Sequence, residues 1–251
     1  MSSLMVLLCI LGLLCCPLRC CAGRRRPGAT PPLGWSTWCT GGSCGQPVPG
    51  PASRDAHDVC TESEIKSIAT EMQRNGMRAA GYEYIMLDDC WAATRRTPSG
   101  QLAADSRRFP SGNGTLAELA AWLHARRFLL GAYTAAGNET CSTGGRSIPG
   151  EPGARGVPGS CTGVTTDVCM PQYQRDANTL ASWGIDAVKL DWCKFNGTIT
   201  VQENLTVAFG DALVKTQRPI FFSFHCGAIW HPWCATPGAE TPYVLRHLLV
   251  Y

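Results

Sequence analysis

Charge is scarce in this chain. Only 16% of its 251 residues are Asp, Glu, Lys or Arg, and the net charge is +3. So small and scattered an excess excludes a nucleic-acid surface. Long apolar runs are lacking too: Leu4 to Cys16 spans 13 residues, against the roughly 20 a membrane helix needs. The 15 cysteines include no Cys-x-x-Cys pair, which removes the commonest zinc signature and leaves His225-Cys226 with His231 and Cys234 as the nearest alternative.

The short apolar run reads as a secretory signal over residues 1–22, with small Ala22 suited to a cleavage site. No Lys or Arg precedes it, while Arg19 and Arg24-Arg25-Arg26 follow it. That order leaves an uncleaved anchor as the alternative. Beyond residue 21 there are ten cysteines, and an even number in an exported chain reads as disulfides. Four sequons, at Asn113, Asn138, Asn196 and Asn204, agree with a glycoprotein of the secretory pathway, extracellular or lysosomal/vacuolar, with no membrane span after leader cleavage.

Glycine (27) and proline (17) are plentiful, as many turns between short elements require. Pro31 to Trp38 reads as a first strand. Thr61-Glu62-Ser63-Glu64 is a capping box, in which the Thr oxygen can take the Glu64 amide and the Glu can reach back. Ile65, Ile68, Ala69 and Met72 recur behind it at helical spacing. Tyr84 to Leu87 is a second strand. Thr115 to Glu118 reads as another capping box, opening a helix with the stripe Leu116, Leu119, Ala120 and Leu123. A strand at Phe128–Tyr133, a helix at Tyr173–Trp183 stopped by Gly184, a strand at Ala187–Leu190, a helix near Gln202–Lys215 and a strand at Pro219–Phe224 follow. Gly150 to Gly159 has glycine every third residue, but three triplets cannot hold a triple helix, and the segment reads as a loop. Alternating strands and helices mean parallel βα units. The fold class is α/β: a (β/α)8 barrel, incomplete, with about five βα units over residues 27–251.

Two runs carry the chemistry. Tyr84-Ile85-Met86-Leu87 ends in Asp88-Asp89-Cys90-Trp91, and Ala187-Val188-Lys189-Leu190 ends in Asp191-Trp192-Cys193. A buried parallel strand reads as a short apolar run, and carboxylates at its C-terminal end sit where such barrels place their chemistry. Lys189 and Asp191 lie two residues apart, so one strand face carries both. An ammonium there favours an ionised carboxylate. The alternative is a buried ion pair with no catalytic role.

Five motifs in order resemble glycoside hydrolase family 27, the α-galactosidases and α-N-acetylgalactosaminidases. They are Leu33-Gly34-Trp35…Trp38, Gly81-Tyr82-Glu83-Tyr84…Asp88-Asp89-Cys90-Trp91, Leu102-Ala103-Ala104-Asp105…Arg108-Phe109-Pro110, Leu130-Gly131-Ala132-Tyr133…Gly137-Asn138-Glu139-Thr140-Cys141 and Lys189-Leu190-Asp191-Trp192-Cys193. The resemblance implies a retaining glycosidase acting on terminal α-galactosides, with Asp191 as nucleophile and no cofactor and no metal. It implies Asp88, Asp89 and Lys189 as partners of sugar hydroxyls, Trp38 and Tyr133 as pocket walls, Cys141 beside the sugar, and homodimers as a common assembly. It also implies disulfides Cys141–Cys193 and Cys44–Cys90, with Cys39 as the alternative partner of Cys90. Cys161–Cys169 and Cys226–Cys234 follow from proximity alone.

Two departures from the family pattern bear on function. Where the family has Glu in galactosidases or Ser in N-acetylgalactosaminidases to read the C2 substituent, this chain has His225. A different α-linked hexose, or a histidine with no ligand role, are the two readings. The family's acid/base aspartate comes from a sixth βα unit, and no matching motif follows His231. The chain is therefore expected to be the N-terminal part of the catalytic barrel, without the acid/base and without the C-terminal β-sandwich, and to be poorly active or a sugar-binding pseudoenzyme.

Overall fold

The computed structural model describes residues 32–38, 59–137, 139–141, 160–161, 163, 165–192 and 197–224. In chain order these residues form β1 (Gly34–Ser36), α1 (Glu62–Arg74), β2 (Tyr84–Leu87), a 3-10 turn (Pro110–Gly112), α2 (Ala117–His124), β3 (Leu129–Ala135), α3 (Thr166–Ser182), β4 (Ala187–Asp191), α4 (Ile199–Lys215) and β5 (Phe221–Phe224). The strands pair in chain order into one five-stranded sheet, every pairing parallel. This is the expected succession of βα units, the architecture of part of a (β/α)8 barrel.

Alternation along each strand divides the sheet into two faces. Ile85 and Leu87, Leu130 and Ala132, Val188 and Leu190, and Phe222 and Phe224 pack into one apolar core with the helices. That core takes Ile65, Ala69 and Met72 from α1, Leu119, Ala120 and Leu123 from α2, Tyr173, Ala177 and Leu180 from α3, and Leu205, Phe209 and Ala212 from α4. The Tyr173 and Phe209 rings meet edge to face at 5.1 Å and lock α3 to α4. The opposite face carries Met86, Gly131, Ala187 and Phe221 in one row and Tyr133, Lys189 and Ser223 in the next. Gly131 leaves room for the end of the Met86 side chain: a β-carbon there would stand 1.8 Å from Met86 Sδ, which would have to move aside.

The element ends show which local signals held. The Thr61 Oγ1 accepts the Glu64 amide at 3.3 Å, as the first capping box requires. The second box does not form. Leu116 is the N-cap of α2 with no side-chain cap, because Thr115 Oγ1 donates to Gly112 O at 2.8 Å and accepts the Ala117 amide instead. The helix α3 begins seven residues before the expected Tyr173, at Thr166, and runs through Pro171. Proline in a helix interior removes a ladder bond, but Pro171 stands in the second turn, where that loss is small enough for the helix to start ahead of it. The Cys161–Cys169 bridge is present and ties the start of this helix to the preceding loop.

One ion pair and one carboxylate–amide hydrogen bond fasten the long segment between β2 and β3. Arg96 grips Asp176 of α3 with both guanidinium nitrogens, at 2.6 and 2.7 Å. Asp176 is 0% exposed; burial pushes its carboxyl up and Arg96 opposes that rise. Glu62, at the start of α1, accepts from Lys66 and, at 3.0 Å, from the Ser111 amide. Burial alone would raise the Glu62 carboxyl, but these bonds outweigh it and its pKa is lowered. A carboxylate so depressed adds stability above its unfolded pKa and loses it as pH falls through its folded one. Glu62→Gln is therefore expected to cost about 1–2 kcal/mol at pH 7. The gap between variant and parent melting curves should close as pH drops below about 4.3, the ordinary glutamate value. A gap unchanged down to pH 3 would contradict the assignment.

Candidate active site

The site lies where β2, β3 and β4 end. The side chain of Asp88, one residue beyond β2, is 7% exposed and accepts from Lys189 Nζ at 2.7 Å. Thr37, one residue beyond β1, accepts the Asp88 amide on Oγ1 at 2.8 Å. Its hydroxyl also lies 3.4 Å from Cys90 Sγ. The other Asp88 oxygen takes the Asp89 amide at 2.9 Å. Three points thus fix one carboxylate: a strand-four ammonium, a strand-one hydroxyl at its own amide, and the next main-chain N–H.

Lys189 stands in register with Tyr133, and Asp191 with Ala135. The two β4 side chains share a face, with Asp191 nearer the strand end. The Lys189 ammonium lies 5.1 Å from the Trp38 ring centre and 5.2 Å from that of Tyr133, within reach of cation–π attraction. Trp38 is 53% exposed and Tyr133 only 3%, so one aromatic forms a rim and the other a floor. Burial pushes the Tyr133 hydroxyl strongly up, and the charges of Asp89, Asp191 and Asp88 push it further. All three carboxylates therefore act on one neutral phenol. That hydroxyl accepts the Cys141 amide at 3.3 Å. The Asp191 Oδ1 takes the Trp192 amide at 2.8 Å, and its carbonyl takes the Ala136 amide at 2.8 Å.

The structure brings together Trp38, Asp88, Asp89, Tyr133, Cys141, Lys189 and Asp191 of the expected set. His225 lies outside the described residues. Cys141 is disulfide-bonded; Cys193, its expected partner, lies outside the described residues, as do Cys39, Cys44, Cys226 and Cys234. The expected Cys44–Cys90 bridge is corrected: Cys90 is joined to Cys60. Cys60 directly precedes α1 and is 2% exposed, so the bond ties the twin-acid segment to the helix packed beside it. Of the sequon asparagines, Asn113 and Asn204 are exposed, and Asn138 and Asn196 lie outside the described residues. Thr37 escaped sequence reading, because a threonine beside a tryptophan carries no signal of its own. Among the described residues no three His, Cys, Asp or Glu stand close enough to hold a metal. No described helix is long and apolar enough to cross a membrane.

The arrangement is a cluster of carboxylates, one lysine and two aromatic rings at the C-terminal edge of a parallel barrel sheet. The family described as alpha galactosidase A matches residues 30–236, and the chain belongs to that family, glycoside hydrolase family 27. It is 37% identical to an alpha-galactosidase A of Cellvibrio japonicus over 81% of this chain and 40% of the relative. It is 33% identical to an alpha-N-acetylgalactosaminidase of Gallus gallus over 88% of this chain and 45% of the relative. The structure of an α-galactosidase from Saccharomyces cerevisiae with raffinose superposes with a TM-score of 0.58 at 31% identity, covering 78% of this chain and 35% of that one. The chain spans about two fifths of the length of the curated relatives it matches.

Proposed function

We propose that the protein carrying this chain is a retaining glycoside hydrolase that removes terminal α-linked galactose, with Asp191 as nucleophile. The observation that carries this reading is the Asp88–Lys189 pair, closed at 2.7 Å across the inner face, with Asp191 on the same face of β4. In the proposed reaction the Asp191 carboxylate attacks the anomeric carbon while the bond to the aglycone oxygen breaks and a general acid protonates that oxygen. Water then cleaves the glycosyl ester with retained configuration. Such chemistry needs a second carboxyl about 5–5.5 Å from the first, and no described residue is assigned that role. Asp88, Asp89 and Lys189 hold sugar hydroxyls, Trp38 and Tyr133 offer apolar faces, and His225 occupies the position that reads the C2 substituent. The raffinose carried by the yeast relative is consistent with an α-galactoside substrate.

The test is turnover of p-nitrophenyl α-galactoside by the whole protein, with the anomer of the released sugar followed by NMR. α-Galactose as first product supports the reading, and β-galactose overturns retention. Binding of galactose without turnover marks a sugar-binding protein instead. A second reading, an α-N-acetylgalactosaminidase, is favoured by the Gallus gallus relative. The ratio of kcat/KM on the two p-nitrophenyl glycosides decides between them. The apolar run Leu4–Cys16, the four sequons and the two disulfides described above support passage through the secretory pathway to the cell exterior or a lysosomal or vacuolar compartment. Loss of residues 1–22 from the mature protein and a mass shift on deglycosylation would test that. Homodimer formation, common in the family, is tested by its mass in solution.

A further inference from the structure

The strand β2 stops at Leu87, but β3 continues to Ala135. In β3 the odd residues turn their main-chain groups toward β2: the Leu129 amide donates to Glu83 O at 2.8 Å. The even residues face β4, where the Asp186 amide donates to Leu130 O at 2.7 Å. By that alternation the Tyr133 carbonyl faces β2, and a continuing parallel ladder would present it with the Asp89 amide. The Asp89 amide instead donates to Asp88 Oδ1 at 2.9 Å. The Tyr133 carbonyl is met by the indole Nε1–H of Trp91, also at 2.9 Å.

Trp91 is built in for this. It is 1% exposed and lies edge-on to Trp183, ring centres 5.9 Å apart. Its carbonyl takes the Asp105 amide at 2.9 Å, and the next residue, Ala92, bridges antiparallel to Ala104. A buried carbonyl left without a donor is costly, so a strand cannot simply abandon its neighbour. Consecutive strand residues also point to opposite faces, so Asp88 and Asp89 reach one pocket only if the chain leaves the sheet between them.

We infer that Trp91 is a positioning residue: its indole N–H takes over the ladder bond that Asp89 gives up, and so lets both acids turn into one sugar pocket. This rests on the glycosidase reading above. In the whole protein, Trp91→Phe keeps an aromatic ring and removes the donor. It is expected to lower kcat/KM on p-nitrophenyl α-galactoside about 10- to 100-fold, mostly through KM, because the displaced acids bind sugar. Trp183→Phe loosens the same ring contact without touching Tyr133. It should lower the melting temperature while leaving kcat/KM per folded molecule within about twofold.

Should Trp91→Phe fail to fold, 3-benzothienylalanine at position 91, with sulfur in place of N–H in the same outline, supplies the measurement. Retention of kcat/KM within about threefold by either replacement, assayed below its melting temperature, overturns the inference while leaving the glycosidase intact. A wild-type protein that neither binds nor turns over α-galactosides defeats the glycosidase reading and this inference with it.

Discussion

Replacing Asp191 with asparagine is expected to lower turnover on the order of 10⁴-fold, about 5.5 kcal/mol of barrier, while galactose still binds. The amide has nearly the shape of the carboxylate but lacks the charge that forms the glycosyl ester. The side chain is held by the Trp192 amide on Oδ1, a bond that an asparagine oxygen can also accept, so the pocket should keep its form. A sharper arm uses Asp191→Gly with azide. The small anion enters from the face the carboxylate occupied, expels the aglycone and becomes bonded to the anomeric carbon, giving β-galactosyl azide from an α-galactoside by a single inversion. Near-normal turnover by Asp191→Asn, or no azide adduct from a folded Asp191→Gly, would remove Asp191 from the nucleophile's role.

Lys189→Met should damage both folding and binding. It preserves a chain of similar length but strips the ammonium from a carboxylate whose side chain is 7% exposed. Breaking one side of such a pair leaves an uncompensated buried charge, at a cost of about 3–5 kcal/mol. The remaining Asp88 bond, from the Asp89 amide at 2.9 Å, cannot offset that. Removing both charges, as Lys189→Met with Asp88→Asn, should recover much of the stability and none of the sugar affinity. Denaturant titration of the four proteins of this cycle, beside galactose calorimetry, separates the two effects. A single variant as stable as the parent would mean that water already solvates the pair.

The runs that end in Asp88 and Asp191 were legible because apolar strands buried on both faces are continuous in sequence, and the acids that close them stand out. Their meeting was legible only in part. Period-two alternation puts Lys189 and Asp191 on one face, whereas Lys189 reaches Asp88 from a residue 101 positions away, through a sheet order that must first exist. Cys90 illustrates the limit. Several cysteines lie upstream of it within reach of a flexible chain, and the partner is Cys60 because α1 packs that residue against the end of β2. Thr115 had the pattern of a cap and spent its hydroxyl on Gly112. Asp176 and Arg96 carried no pattern at all, and Trp91 stood in a motif that did not show its hydrogen bond to Tyr133, since a buried charge and a buried indole N–H are recognised only by their partners.

The order of amino acids by itself determined the succession of βα units, the identity of the acids at the strand ends and membership of the family. These depend on local spacing and residue type, which are complete before the chain folds. Tertiary structure alone decided which acid the lysine holds, which cysteine Cys90 joins, and which donor meets the Tyr133 carbonyl. Each of those depends on groups distant in sequence meeting within about 3 Å, the reach of a hydrogen bond, and only the packed sheet brings them there.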